Sequence, residues 1–219
     1  MTIDVKYSLE KEVENYLDSL YSFKWYKHGR DNIQNDLLKP FPDNFKNGLL
    51  KAKDKKEARK VITNFISPYL PNRKKSYKQL SGIIQKEWTA KKTDIIRQLE
   101  DVYGERFPFK KITIYLSSIP ICPYNYKEKW IMLCANTTVD QQIDIIRHEL
   151  SHFMFYYYYP IEKLSLDKSQ YELLKEALTI LINKDEKGYP KEQKIRKWLS
   201  KQKGTIKEIL SGREWRNYL

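Results

Sequence analysis

The chain has 219 residues, 41% of them apolar and 14% aromatic, enough for a packed core in one domain or one domain with a helical extension. Lys and Arg number 41 against 28 Asp and Glu, a net charge of +13, with only 3 histidines and 2 cysteines. No stretch approaches the roughly 18 uninterrupted apolar residues of a membrane span. Met1 to Glu10 lacks the order of an export signal, and Cys122 and Cys134 are too few for a disulfide framework. The expectation is a cytoplasmic chain with reduced thiols and no membrane partner.

Residues 8–24 carry Leu9, Val13, Tyr16, Leu17, Leu20 and Tyr21 at helical intervals, which predicts a first helix. Pro40-Phe41-Pro42-Asp43-Asn44 reads as a loop. A second helix is expected over 53–67, with Ala58, Val61, Ile62, Phe65 and Ile66 on one face and Pro68 and Pro71 ending it. Asn72 to Lys78 is basic and expected to be exposed. A long helix should follow over 76–103, capped by Gly104. Lys111 to Leu116 alternates and is rich in β-branched residues, as a strand does. Ser117 to Lys127 is a loop, and Trp130 to Cys134 is a second short strand.

The next helix has Thr137 or Thr138 as its N-cap, with Gln141 three residues beyond Thr138 as in a capping box. Val139, Ile143, Ile146, Leu150 and Phe153 form its buried stripe, and it should stop at Pro160. A loop of about seven residues then leads to a helix over 167–183, with Asp167 as cap. Lys184 to Pro190 is a turn, 191–202 a basic amphipathic helix, and a shorter helix near 205–211 closes the chain. The fold class expected is α+β, mostly helical. It comprises a helical N-terminal region (1–105), a compact core (106–184) and a basic helical extension (185–219) packed on the same unit.

Within that core, His148-Glu149-Leu150-Ser151-His152 reads H-E-x-x-H and holds two of the three histidines. Side chains four apart on a helix share a face, so both imidazoles reach one metal ion, and Glu149 between them is placed to act as general base. A catalytic zinc site usually takes a third protein ligand. The extension H-E-x-x-H-x-x-G-x-x-H is closed, because Phe155 and Tyr158 stand where Gly and His are needed. The third ligand is then a downstream carboxylate or His28. In an antiparallel hairpin of the two helices, residues equally far from the turn face one another. That selects Glu176, followed by the small Ala177, with Glu172 one turn earlier as the alternative.

The H-E-x-x-H helix followed by Glu176-Ala177-Leu178-Thr179 resembles the gluzincin branch of zinc metallopeptidases, the group of thermolysin and the M1-type aminopeptidases. The resemblance covers about residues 110–183. It implies a zincin-like fold, with a small sheet packed on the active-site helix and a Glu-bearing helix behind. It also implies Zn2+ held by His148, His152 and Glu176, with Glu149 as catalytic base. Three departures are visible: thermolysin-like spacing selects Glu172, Ile180 stands where an outer-shell Asp often follows the ligand Glu, and Lys175 stands where Asn often precedes it.

The expected function is hydrolysis of peptide bonds by Glu149-assisted attack of a zinc-bound water, on a peptide or protein substrate. His28 or a tyrosine at 115, 124, 126 or 156–159 is a candidate to steady the oxyanion. The alternative is a zincin-fold protein, weak or inactive as an enzyme, that binds through its basic helical flanks. Nucleic acid is the less favoured partner. Residues 130–183 hold 4 Lys and Arg against 7 Asp and Glu (net −3), whereas residues 184–219 hold 11 against 5 (net +6), so the basic excess lies away from the motif.

Overall fold

The computed structural model describes residues 1–22 and 37–219. In chain order its elements are β1 (Thr2–Tyr7), α1 (Leu9–Tyr16), α2 (Asp43–Lys51), α3 (Lys55–Ile66), α4 (Leu70–Tyr103) and β2 (Lys111–Ser117). There follow β3 (Tyr124–Asn125), β4 (Trp130–Cys134), α5 (Val139–Tyr158), α6 (Ile161–Leu164), α7 (Lys168–Leu178), α8 (Gln193–Leu199) and α9 (Ile206–Ser211). The protein is α+β and mostly helical, with a four-stranded mixed sheet among the described residues. Its contacts divide it into two compact units, each built from separated stretches. One comprises Ile3–Gln85 and Ile112–Gln142; the other comprises Met1–Thr2, Lys86–Lys111 and Ile143–Leu219. No described helix is long and apolar enough to cross a membrane, and no disulfide joins Cys122 to Cys134.

The first unit carries the sheet, in the order β1-β2-β4-β3. β2 and β4 pair in parallel, with Ile114 opposite Ile131 and Leu116 opposite Leu133, while β3 pairs antiparallel to β4. The sequence pattern marks β2 and β4. It does not mark β1, where only Ile3 and Val5 are buried, or the two-residue β3. Beside the sheet, Val13, Tyr16, Leu17 and Leu20 join Phe45, Leu49, Ala58, Ile62 and Ile66 in one core. Glu12 is fully buried in this unit. It accepts hydrogen bonds from Tyr7 (2.6 Å), the Arg73 guanidinium (2.9 Å) and the Ser118 hydroxyl (2.7 Å) and amide (3.1 Å), so its charge is satisfied on every side.

Two helical expectations are corrected here. The loop expected over Pro40 to Asn44 is present at Pro40–Pro42 but ends there, and Asp43 opens α2, because Phe45 and Leu49, one turn apart, pack into the core. The second helix, α3, ends at Ile66, ahead of Pro68 as expected, but the long helix begins at Leu70 and not at 76. Ser67–Tyr69 is a single tight turn, and Pro71 falls in the first turn of α4, where a missing N–H costs nothing. The basic run Asn72 to Lys78 is therefore helical, though still largely exposed.

In the second unit the C-terminal half of α4 buries Trp88, Ile95, Leu99 and Tyr103. It ends at Gly104, whose φ of +68° and amide bond to the Glu100 carbonyl (2.8 Å) make the expected cap.

Candidate metal centre

α5 begins at Val139, which selects Thr138 as its cap. The Thr138 amide donates to Gln141 Oε1 (3.1 Å) and the Gln141 amide to Thr138 Oγ1 (3.3 Å), a closed capping box. Thr137 instead donates its hydroxyl to the Cys134 carbonyl (2.9 Å). Further along, Ile143, Ile146, Leu150 and Phe153 are buried as the spacing requires. The Tyr103 hydroxyl donates to the Ser151 carbonyl (2.7 Å) inside the motif itself, which ties α5 to α4.

Pro160 ends α5, the single turn of α6 follows, and Ser165 reverses the chain with φ +49°. Asp167 then caps α7 through a capping box with Gln170. α7 runs back along α5: Tyr156 meets Glu172, and His152 meets Glu176. Each pair is equally far from the turn, as in an antiparallel hairpin. α7 stops at Leu178, earlier than the expected 183. There the Thr179 hydroxyl (2.7 Å) and the Arg196 guanidinium (3.1 Å) take the Glu176 carbonyl, and a tight turn over Thr179–Leu181 completes the end.

This hairpin brings His148, His152 and Glu176 together. One ligand atom from each lies within 4.8 Å of the others. Glu176 Oε2 is 3.4 Å from His152 Nε2 and 3.8 Å from His148 Nε2, and the two rings meet edge to face at 4.5 Å. Two imidazole nitrogens and a carboxylate oxygen at this separation are a donor set that fits a zinc ion. The His148 and Glu176 side chains each stay 27% exposed, so the cluster opens to solvent on one side. Glu172 points elsewhere, to the Tyr156 hydroxyl (3.3 Å) and the Lys175 ammonium (2.8 Å). Between the two carboxylates that sequence spacing offers, the geometry places Glu176 with the histidines. His28 lies outside the described residues.

Glu149 is buried beside the cluster, and its Oε2 has no hydrogen-bond partner among the described residues. Burial pushes its pKa up to about 7. Burial likewise drives His152 down to about 3, which keeps the imidazole neutral. Glu176 is also penalised by burial, yet His152, Lys175 and His148 outweigh that and hold it well below the usual carboxylate range. For His148, burial alone lowers the pKa, but Glu186, Glu149 and Glu176 more than reverse it, and the net shift is upward.

Three neighbours take roles that the sequence spacing does not assign. Lys175, 3% exposed, holds Glu176 Oε1 at 3.0 Å and leaves Oε2 facing the histidines. Glu186 Oε2 lies 3.3 Å from His148 Nδ1, and the buried Arg196 holds Glu186 Oε1 at 3.1 Å. Glu186 sits in an irregular turn where no periodicity marks a face, so spacing gave no signal for it. Of the tyrosines considered for the oxyanion, Tyr156 is engaged with Glu172 and Tyr158 donates to the Arg106 carbonyl. Tyr115, Tyr124 and Tyr126 belong to the sheet-bearing unit. Compared with protein-family models, curated proteins and solved structures, the chain matches none.

Proposed function

We propose that the protein is a zinc-dependent metallopeptidase of the gluzincin type, built on a zincin-like core. One observation carries the reading. His148, His152 and Glu176 present ligand atoms within 4.8 Å of one another, and the carboxyl between the histidines, Glu149, is buried beside them with an oxygen that has no partner among the described residues. A helix pair of this kind with a small mixed sheet elsewhere in the chain is the set of elements the gluzincin resemblance calls for.

In this reading His148 and His152 are the imidazole ligands and Glu176 is the carboxylate ligand. Zinc bound there supplies a Lewis acid that polarises a substrate carbonyl and acidifies water. Glu149 Oε2 accepts a proton from the attacking water and returns it to the leaving amine. Lys175 secures the outer oxygen of Glu176, and burial holds His152 as a neutral ligand. Peptide or protein chains reach the reacting groups from the side on which His148 and Glu176 are exposed.

The test is zinc per chain by elemental analysis, followed by cleavage of a peptide library. Wild type and Glu172→Ala should carry close to one zinc, while His148→Ala and Glu176→Ala should carry almost none. Glu149→Gln should keep its zinc and lose hydrolysis by about 100-fold or more. A wild type that takes no zinc after reconstitution overturns the reading, and so does a Glu149→Gln variant that still cleaves.

A further inference from the structure

The turn after α7 brings a carboxylate to the centre that neither the H-E-x-x-H motif nor Glu176 accounts for. Two carboxylates face the His148 ring. Glu186 Oε2 approaches Nδ1 at 3.3 Å, whereas Glu176 Oε2 stands 3.8 Å from Nε2. A neutral imidazole has a single N–H, and a nitrogen that carries it cannot bind a metal. The closer acceptor lies at Nδ1, so the proton belongs there and the Nε2 lone pair is left facing Glu176.

Glu186 is itself held. Arg196, 4% exposed, donates to Glu186 Oε1 (3.1 Å) and to the Glu186 carbonyl (3.0 Å). The same guanidinium donates to Glu192 Oε2 (3.0 Å), to the Thr179 hydroxyl (2.7 Å) and to the Glu176 carbonyl (3.1 Å). One buried cation thus fixes the side chain beside His148 and the backbone of Glu176. The turn is shaped to admit it. Gly188 has φ +61°, and a Cβ at that position would fall 2.2 Å from Arg196 Nε. Glycine is required there for its backbone and for the space it leaves.

We propose that Glu186, anchored by Arg196, is the positioning residue of the metal centre: it fixes His148 as the Nδ1–H tautomer and presents Nε2 for ligation. The basic segment after α7 is then part of the site and not only a solvated flank. This inference rests on the metal-centre reading, but the tautomer can be read without any metal.

Nitrogen-15 NMR of the His148 ring, recorded on metal-free protein with the ring neutral, shows which nitrogen is protonated. Wild type is expected to hold Nδ1–H, and Glu186→Ala to shift toward Nε2–H. Zinc affinity, measured by chelator competition, should fall about 10- to 100-fold in Glu186→Ala. Glu186→Ala that keeps both the wild-type tautomer and the wild-type affinity overturns the proposal. Lost affinity with an unchanged tautomer also overturns it, because the role is then structural. Should Glu186→Ala fail to fold, the wild-type spectrum still decides: Nε2–H there sinks the proposal outright. A wild type that holds Nδ1–H yet takes no zinc sinks the metal-centre reading instead.

Discussion

Glu149 and His152 lie on one helix and are both buried, and burial moves their ionisations in opposite directions from a common cause. In the metal-free protein this sets a pH dependence with a definite sign. Unfolded His152 takes up a proton near its ordinary value of 6.5, but the folded residue resists until about 3, so stability falls as pH falls through that window. Glu149 acts in reverse. Its folded carboxyl keeps the proton up to about 7, where the unfolded group releases it near 4.5, so stability falls as pH rises from 4.5 to 7. Between 4.5 and 6.5 the two oppose each other. Below 4.5, Glu176 and Glu186, both held under the usual carboxylate range, act with His152. Metal-free wild type should therefore melt at a nearly constant temperature from pH 6.5 to 4.5 and lose stability steeply below. Glu149→Gln removes the opposing group, so its stability should rise with pH across that same window by about 1–2 kcal/mol, a few degrees in Tm. Equal slopes in the two proteins would refute the assignment. His148, Glu149 and His152 were legible because a helix repeats at a fixed spacing, and Glu176 because a hairpin pairs residues equidistant from its turn. Lys175, Glu186 and Arg196 were not, since their roles arise from tertiary approach and no spacing rule encodes it.

Among the elements, those with caps and a full apolar period were readable: α3 behind Asp54, α7 behind Asp167, α9 behind Thr205 and the long α4 ending at Gly104. The elements missed were short or masked by punctuation residues. β1 buries only Ile3 and Val5, β3 spans two residues, and α2 opens directly behind Pro42. The sequence marks the segment between α7 and α8 as a turn, but nothing in its spacing ties that turn to the histidines. Gly188→Ala tests that connection. The positive φ alone should cost about 1–2 kcal/mol, and the added methyl must displace Arg196, whose Nε would be 2.2 Å away. Zinc affinity should therefore fall several-fold together with Tm. Gly82→Ala is the control: it lies within α4, its Cβ would meet nothing within 4 Å, and it should be neutral or stabilising by up to about 1 kcal/mol. Wild-type zinc affinity in Gly188→Ala would break the link between the turn and the metal centre.

For the whole molecule the net charge of +13 first suggests an electrostatic partner, but several basic groups of the C-terminal segment are already engaged within the protein. Arg196 is buried in its network, Arg216 donates to the Leu164 carbonyl (2.6 Å), Lys194 to the Asn217 carbonyl (2.8 Å), and Lys207 pairs with Glu105 (2.9 Å). What the fold itself distributes unevenly is the cluster proposed to hold the metal. His148, His152, Glu176, Glu186 and Arg196 all belong to the unit of Met1–Thr2, Lys86–Lys111 and Ile143–Leu219, and none to the sheet-bearing unit. A ligand that binds only the native state stabilises what it binds, by about 2.7 kcal/mol at a hundredfold excess over Kd. Amide hydrogen exchange with and without zinc should therefore show added protection in α5 from Ile143 onward, in α7 and in α8. Protection in α2 and α3, within the other unit, should change much less, because local opening there breaks no metal bond. Uniform protection along the chain would mean that metal stability is shared by both units as one cooperative body. Protection confined to α2 and α3 would place the bound zinc away from His148 and His152.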